Sequence, residues 1–258
     1  MAKLIAVCNQ KGGVGKSTTA VNVGSYLALS GKRTLLIDLD PQGNATIACG
    51  IDRSRLAHDI YDVLVNGVSA VETVQKTAVE GLDIIPSSLD LAGAEPYLVG
   101  IEDRETVLKR LCEPLKTPYE FILLDCPPSL GLLTVNALVA ADSTMIPVQC
   151  EYFALEGLRA LMHTVELIRA NLNPGLRLGG IVLTMTDFRA HLTREVAQEV
   201  RQFFKDQVFD TAIPRNIRLA ESPSFGKPIC LYDPDSTGAM AYRLLTQEVI
   251  TKEGMVAQ

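Results

Sequence analysis

Lys11-Gly12-Gly13-Val14-Gly15-Lys16-Ser17-Thr18, or KGGVGKST, is the stretch whose reading decides the fold. It follows KLIAVCN (Lys3 to Asn9), an apolar run with the look of a buried parallel strand. After it, Ser17 to Ser30 carries apolar residues at helical spacing and stops at Gly31, a C-terminal cap. RTLLIDLD (Arg33 to Asp40) then reads as a second buried strand. Strand, glycine-rich turn, helix, strand is a right-handed βαβ unit. The turn fits the second half of the phosphate-binding pattern G-x-x-x-x-G-K-[ST] through Gly15, Lys16 and Ser17. Gln10 stands where the first glycine belongs, and a second lysine, Lys11, opens the loop.

Outward from that unit the alternation continues. Strands are expected at Leu82 to Pro86, Glu120 to Cys126, Ser143 to Cys150 and Leu178 to Met185, with a short one over Asp210 to Pro214. Helices are expected at Glu102 to Leu115, Glu151 to Asn171, Leu192 to Lys205 and Ser236 to Glu253. The economical fold is α/β over residues 1–258: a single doubly wound, mostly parallel sheet with helices on both faces. With 258 residues, 47% hydrophobic, the chain is large enough for that core. No apolar run reaches the ~18 residues of a membrane span, and MAKLIAVCNQ is a strand rather than a leader, so the expected place is the cytoplasm. The six cysteines show no C-x-x-C spacing and read as inert, mostly buried thiols. His58, His163 and His191 fall in no motif.

Ligands of such sheets bind at the carboxyl ends of the strands. Gly12, Gly13, Val14 and Gly15 supply backbone N–H groups to phosphate oxygens, and the helix behind them aims its positive end at the same anion. Lys16 is placed to reach the β- and γ-phosphates, the Ser17 hydroxyl to bind Mg²⁺ and Thr18 to support the α-phosphate. Asp125 closes the apolar strand EFILLDC, the position of a carboxylate held near the metal. Asp38 and Asp40 lie two apart, so on a strand both would face the phosphates, for metal binding or water positioning.

KGGVGKST, LLIDLDPQGN, FILLDCPPSLG and IPRNIRLAESPSFGKPI together resemble the ParA/Soj ATPases that segregate bacterial chromosomes and plasmids, deviant Walker P-loop NTPases of the MinD superfamily. The resemblance runs from about residue 1 to 250. It implies a homodimer formed on ATP, in which Lys11 reaches across to the partner's phosphates much as an arginine finger does. By position, Asp40 matches the aspartate that orients the attacking water, and Asp38 one near the metal and the resting lysine. Asp38 to Asn44 and Asp125 to Gly131 resemble switch segments I and II. Glu151 and Phe153 match residues near the nucleotide and the dimer seam, and Pro214 and Asn216 match adenine contacts.

Between 186 and 227 seven Lys or Arg face six Asp or Glu, whereas the whole chain carries a net charge of -6. Charge alone reads there as a scattered solvated surface. The resemblance instead implies that Arg189, Arg215 and Arg218 contact duplex DNA without sequence readout, on the nucleoid, with a ParB-like partner stimulating hydrolysis. Three alternatives stand beside this reading. A MinD-like membrane regulator would end in a basic amphipathic helix, and TQEVITKEGMVAQ is short, mixed in charge and lacks an aromatic anchor. A reductase with a cluster between subunits needs a second cysteine to match Cys126. An ATPase positioning another cargo on another scaffold shares the same site chemistry.

Overall fold

Seven strands form one sheet: β1 (Lys3–Val7), β2 (Thr34–Asp38), β3 (Gln75–Lys76), β4 (Leu82–Ile85), β5 (Phe121–Asp125), β6 (Ser143–Gln149) and β7 (Arg177–Thr184), in the order β3-β4-β2-β5-β1-β6-β7. The coordinates are a computed structural model and describe residues 2–255. Every pairing is parallel except the two-residue edge strand β3, which runs antiparallel to β4. The described residues also form ten α-helices, α1 (Lys16–Leu29), α2 (Asn44–Ala48), α3 (Ala94–Val99), α4 (Val107–Cys112), α5 (Leu132–Ala140), α6 (Ala154–Asn171), α7 (His191–Phe204), α8 (Ile217–Glu221), α9 (Ile229–Tyr232) and α10 (Thr237–Met255), besides seven short 3-10 or π turns.

The pleat explains why the strands read as unbroken apolar runs. Leu4 and Ala6, Leu35 and Ile37, and Ile122 and Leu124 point into one core, filled from α3 to α7. Their neighbours Ile5 and Val7, Leu36, and Phe121 and Leu123 point into the other, filled by α1 and α10. Each strand is thus buried on both faces, as a parallel sheet requires. The apolar side of α10 (Ala241, Tyr242, Leu245, Val249) is spent on this second core against α1. No helix among the described residues is long and apolar enough to cross a membrane. The final residues of the TQEVITKEGMVAQ tail, 256–258, and Met1 lie outside the described residues.

Three sequence expectations change. The Glu102–Leu115 helix is broken: Asp103 adopts a left-handed backbone, and α4 gives way to a tighter turn at Pro114, which has no N–H to donate. Asp210 to Pro214 forms no strand, and its one bridge joins Pro214 to Thr186, just past β7. Glu248 on α10 takes the N–H groups of Asp210 (2.8 Å) and Thr211 (2.9 Å), so of this stretch the Ile213 N–H reaches β7, at the Leu183 carbonyl (2.8 Å). Helix α5 was not foreseen. Its sequence LLTVNALVA is mostly apolar because the helix is buried on nearly every side, and its two polar residues, Thr134 and Asn136, are themselves buried and hydrogen-bonded, so no solvent-facing polar stripe betrays its period.

Among the described residues the cysteines form no disulfide; five are buried and Cys230 is half-buried. Burial pushes the Cys8 thiol up to about 11 and holds the Cys126 thiol well above its ordinary value, so both are poor nucleophiles.

Candidate functional site

The register puts the ends of three central strands side by side: Val7 pairs with Asp125, and Asp125 pairs with Asp38. The glycine loop rises from the first of them. Asn9 braces it, its side-chain oxygen accepting the Lys11 N–H (3.0 Å) and its amide donating to the Pro147 carbonyl (2.7 Å). Gly13 and Gly15 take the left-handed backbone that turns the chain into α1, at φ 75 and 88. Val14 is buried, and its carbonyl accepts the Thr184 hydroxyl at 2.8 Å, which ties the loop to the end of β7. The result is a cavity of about 340 Å³ lined by Gly12, Gly13, Gly15, Lys16, Ser17 and Thr18, and also by Asp40. Backbone donors and the amino end of a fourteen-residue helix converge there, an arrangement suited to an anion.

The two lysines occupy opposite environments. Lys16 is buried and donates to the Lys11 carbonyl at 3.2 Å. Burial pulls its pKa below the ordinary lysine value, while Asp125 and Asp40 pull it back up. Lys11 reaches outward, half exposed, and forms an ion pair with Glu151, not with Asp38. Glu151, which holds Lys11, and the exposed Phe153 lie on the turn before α6, off the cavity lining.

The three aspartates also part company. Asp40 lies past the end of β2, so strand alternation does not aim it together with Asp38. It faces the cavity, its carboxylate accepting the Gln42 N–H at 2.9 Å. Asp38 is fully buried beneath that loop, one oxygen taking the Asp40 N–H (3.1 Å), the other the Thr46 N–H (2.9 Å) and hydroxyl (2.7 Å). Burial raises its pKa to about 6, against the pull of the Thr46 and Asp40 donors. Asp125 is equally buried, yet neither carboxylate oxygen has a hydrogen-bond partner among the described residues. Burial above all, then Asp38, drives it well above the usual carboxylate range; the nearby Ser17 hydroxyl favours its charged form without reaching hydrogen-bond geometry.

No group of three or more His, Cys, Asp or Glu among the described residues is arranged to hold a metal ion. Mg²⁺ in phosphate sites does not need one, because it takes one or two carboxylates and completes its shell with water and phosphate oxygens. The orphaned Asp125 carboxylate beside Ser17 fits that demand, whereas the oxygens of Asp38 are already engaged.

Pro214 and Asn216 line a second, mostly apolar cavity of about 230 Å³ that shares Gly15, Thr18 and Met185 with the first. The Asn216 side chain caps α8 and donates to Thr237 at 2.9 Å. Arg189, Arg215 and Arg218 are all exposed. Arg189 is paired with Asp187, and Arg218 with Glu221 and Asp233, while Arg215 makes no ion pair among the described residues. Arg189 and Arg215 flank one open groove; Arg218 lies outside it. Sequence reading missed Asn9, Thr46, Ser87, Met185 and Lys227. Lys227 sits in the quoted IPRNIRLAESPSFGKPI segment and could have been found there; the others carry no local signal.

Comparison with known proteins gives a consistent picture. A family model described as an AAA domain matches residues 2–178. The chain is 54% identical over 249 residues to the sporulation initiation inhibitor protein Soj of Bacillus subtilis, covering 96% of this chain and 98% of that one. It is 49% identical over 253 residues to the chromosome partitioning protein ParA of Myxococcus xanthus, covering 98% and 89%. Among solved structures, a Mycobacterium smegmatis protein described as cobyrinic acid a,c-diamide synthase, with bound ADP and magnesium, superposes with a TM-score of 0.86 at 34% identity, over 100% of this chain and 97% of that one.

Proposed function

Because this chain belongs to the ParA/Soj family of chromosome-partitioning ATPases, we propose that it is an ATP-driven dimeric switch. It binds duplex DNA without sequence preference and lets go after hydrolysis. The observation that carries the reading is the pair of unpartnered Asp125 oxygens, buried beside Ser17 of the glycine loop and behind the cavity lining. A buried carboxylate with no partner is costly, and a site that tolerates one is built for a cation.

In this mechanism the triphosphate lies on the backbone N–H groups of Gly12 to Gly15, with Lys16 as counter-charge and the base toward Pro214 and Asn216. Asp125 and Ser17 would hold Mg²⁺, which when bound neutralises charge on the phosphate oxygens. Asp40 faces the same cavity and orients the attacking water. No strong general base lines the cavity, so positioning does the work and unstimulated hydrolysis is slow. Lys11 exchanges Glu151 for the phosphates of a second subunit, which links ATP binding to dimerisation. Arg189, Arg215 and Arg218 then contact DNA phosphates in duplicate on the dimer, on the nucleoid, and a ParB-like partner triggers turnover. A membrane scaffold is disfavoured because Ala241, Tyr242, Leu245 and Val249 of α10 are committed to the core, which leaves the pair Met240 and Leu244 exposed rather than a full apolar face.

The test is binding of a random-sequence duplex with ATP, with ADP and without nucleotide, at two salt concentrations, for wild type and Lys11→Ala. Tight, salt-sensitive binding by wild type with ATP alone is the expected result. Equal binding in all three nucleotide states would sink the switch.

A further inference from the structure

Asp40 must be held still to orient a water, yet it lies in a loop, after β2 has ended. Three side chains outside the cavity are hydrogen-bonded around its backbone. Asp38 accepts the Asp40 N–H and both donors of Thr46. The Thr46 hydroxyl, while donating to Asp38, accepts the Ser87 N–H at 2.9 Å. The Ser87 hydroxyl donates to the Asp40 carbonyl at 2.8 Å, a carbonyl that also takes the Gly43 N–H at 2.8 Å. Asp38, Thr46 and Ser87 are each 0% exposed. Ser87 lies two residues past the end of β4, the strand beside β2.

We propose that Thr46 and Ser87 form a buried latch that fixes the first switch segment to the neighbouring strand and thereby sets the position of Asp40 for hydrolysis. Both are positioning residues, since neither lines the cavity. The physical argument is closure. The backbone of Asp40 is held at its N–H by β2 through Asp38 and at its carbonyl by β4 through Ser87. The intervening residues therefore cannot drift as a free loop. The polar groups are satisfied within the ring, in a dry interior where each bond counts for more than it would in water. The proposal rests on the reading of Asp40 as the residue that orients the water.

The experiment compares Ser87→Ala, Thr46→Val and Thr46→Ser with wild type and Asp40→Ala, measuring ATP affinity, kcat, KM and Tm. Ser87→Ala and Thr46→Val should lower kcat about tenfold, since misplacement on the order of 1 Å costs that much or more. ATP affinity and KM should stay within about twofold, since the cradle is untouched. Thr46→Ser keeps the hydroxyl and should restore most of kcat. A purely structural role would lower Tm in all three variants and leave kcat of the folded fraction unchanged, which overturns the latch. If Asp40→Ala is inactive while Ser87→Ala and Thr46→Val turn over normally, the latch fails and the reading of Asp40 survives. If Asp40→Ala itself turns over at the wild-type rate, both fall.

Discussion

Asp38 and Asp125 end adjacent strands in register, and both are fully buried, yet they live in opposite states. Asp38 accepts three hydrogen bonds, all from the segment that follows β2. Asp125 accepts none among the described residues. The same residue type at equivalent ends of neighbouring strands has been given two environments. A satisfied carboxylate organises the backbone around it, and an unsatisfied one would, in the proposed mechanism, hold a cation.

The contrast breaks most sharply at Asp125. Asp125→Asn should cut hydrolysis on the order of a hundredfold, because metal binding is worth several kcal/mol of transition-state charge stabilisation. It should also abolish the rise in Tm that Mg²⁺ with ADP gives the wild type. A persistent Mg²⁺-dependent rise would move the metal elsewhere. Next in size, Lys16→Ala should lose nucleotide binding while Lys11→Ala keeps it and fails to dimerise by light scattering. Equal ATP affinity in wild type and Lys16→Ala would take Lys16 out of the site. Asp38→Asn sharpens the comparison from the other side. An amide cannot accept from three donors as a carboxylate does, so chemical unfolding should show a loss of about 1–3 kcal/mol. ATP affinity should change little; a large loss of nucleotide with full stability would make Asp38 a ligand instead. The smallest effect is expected at Arg218, whose charge is shared with Glu221 and Asp233. Its alanine variant should weaken DNA binding less than Arg215→Ala, and the reverse ranking in a salt titration would relocate the DNA surface.

Much of this was legible beforehand, for a physical reason. Parallel strands buried on both faces are apolar without a break, and a glycine loop joining such a strand to a helix has few other uses, so β1, α1, β2 and β5 could be read directly. Helix α5 was invisible because burial on most sides erases the period that reveals a helix. The strand expected at Asp210 to Pro214 does not form, and a carboxylate on α10, close to forty residues away in sequence, takes the N–H groups of Asp210 and Thr211 there. Asn9, Thr46 and Ser87 are ordinary polar residues whose partners come from other strands, and nothing local marks them.

The sequence by itself determined the chemistry available: a phosphate cradle, two lysines in one loop, and carboxylates at the ends of core strands. Those are matters of residue type and spacing, and they survive in one dimension. Only the tertiary structure decided how those groups are used. It buried Lys16 and left Lys11 outside on Glu151, filled the oxygens of Asp38 while leaving those of Asp125 empty, and tied Asp40 to β4 through Ser87. Burial and hydrogen-bond satisfaction depend on what strand order brings near, and strand order places β2 and β5 together although more than eighty residues separate them.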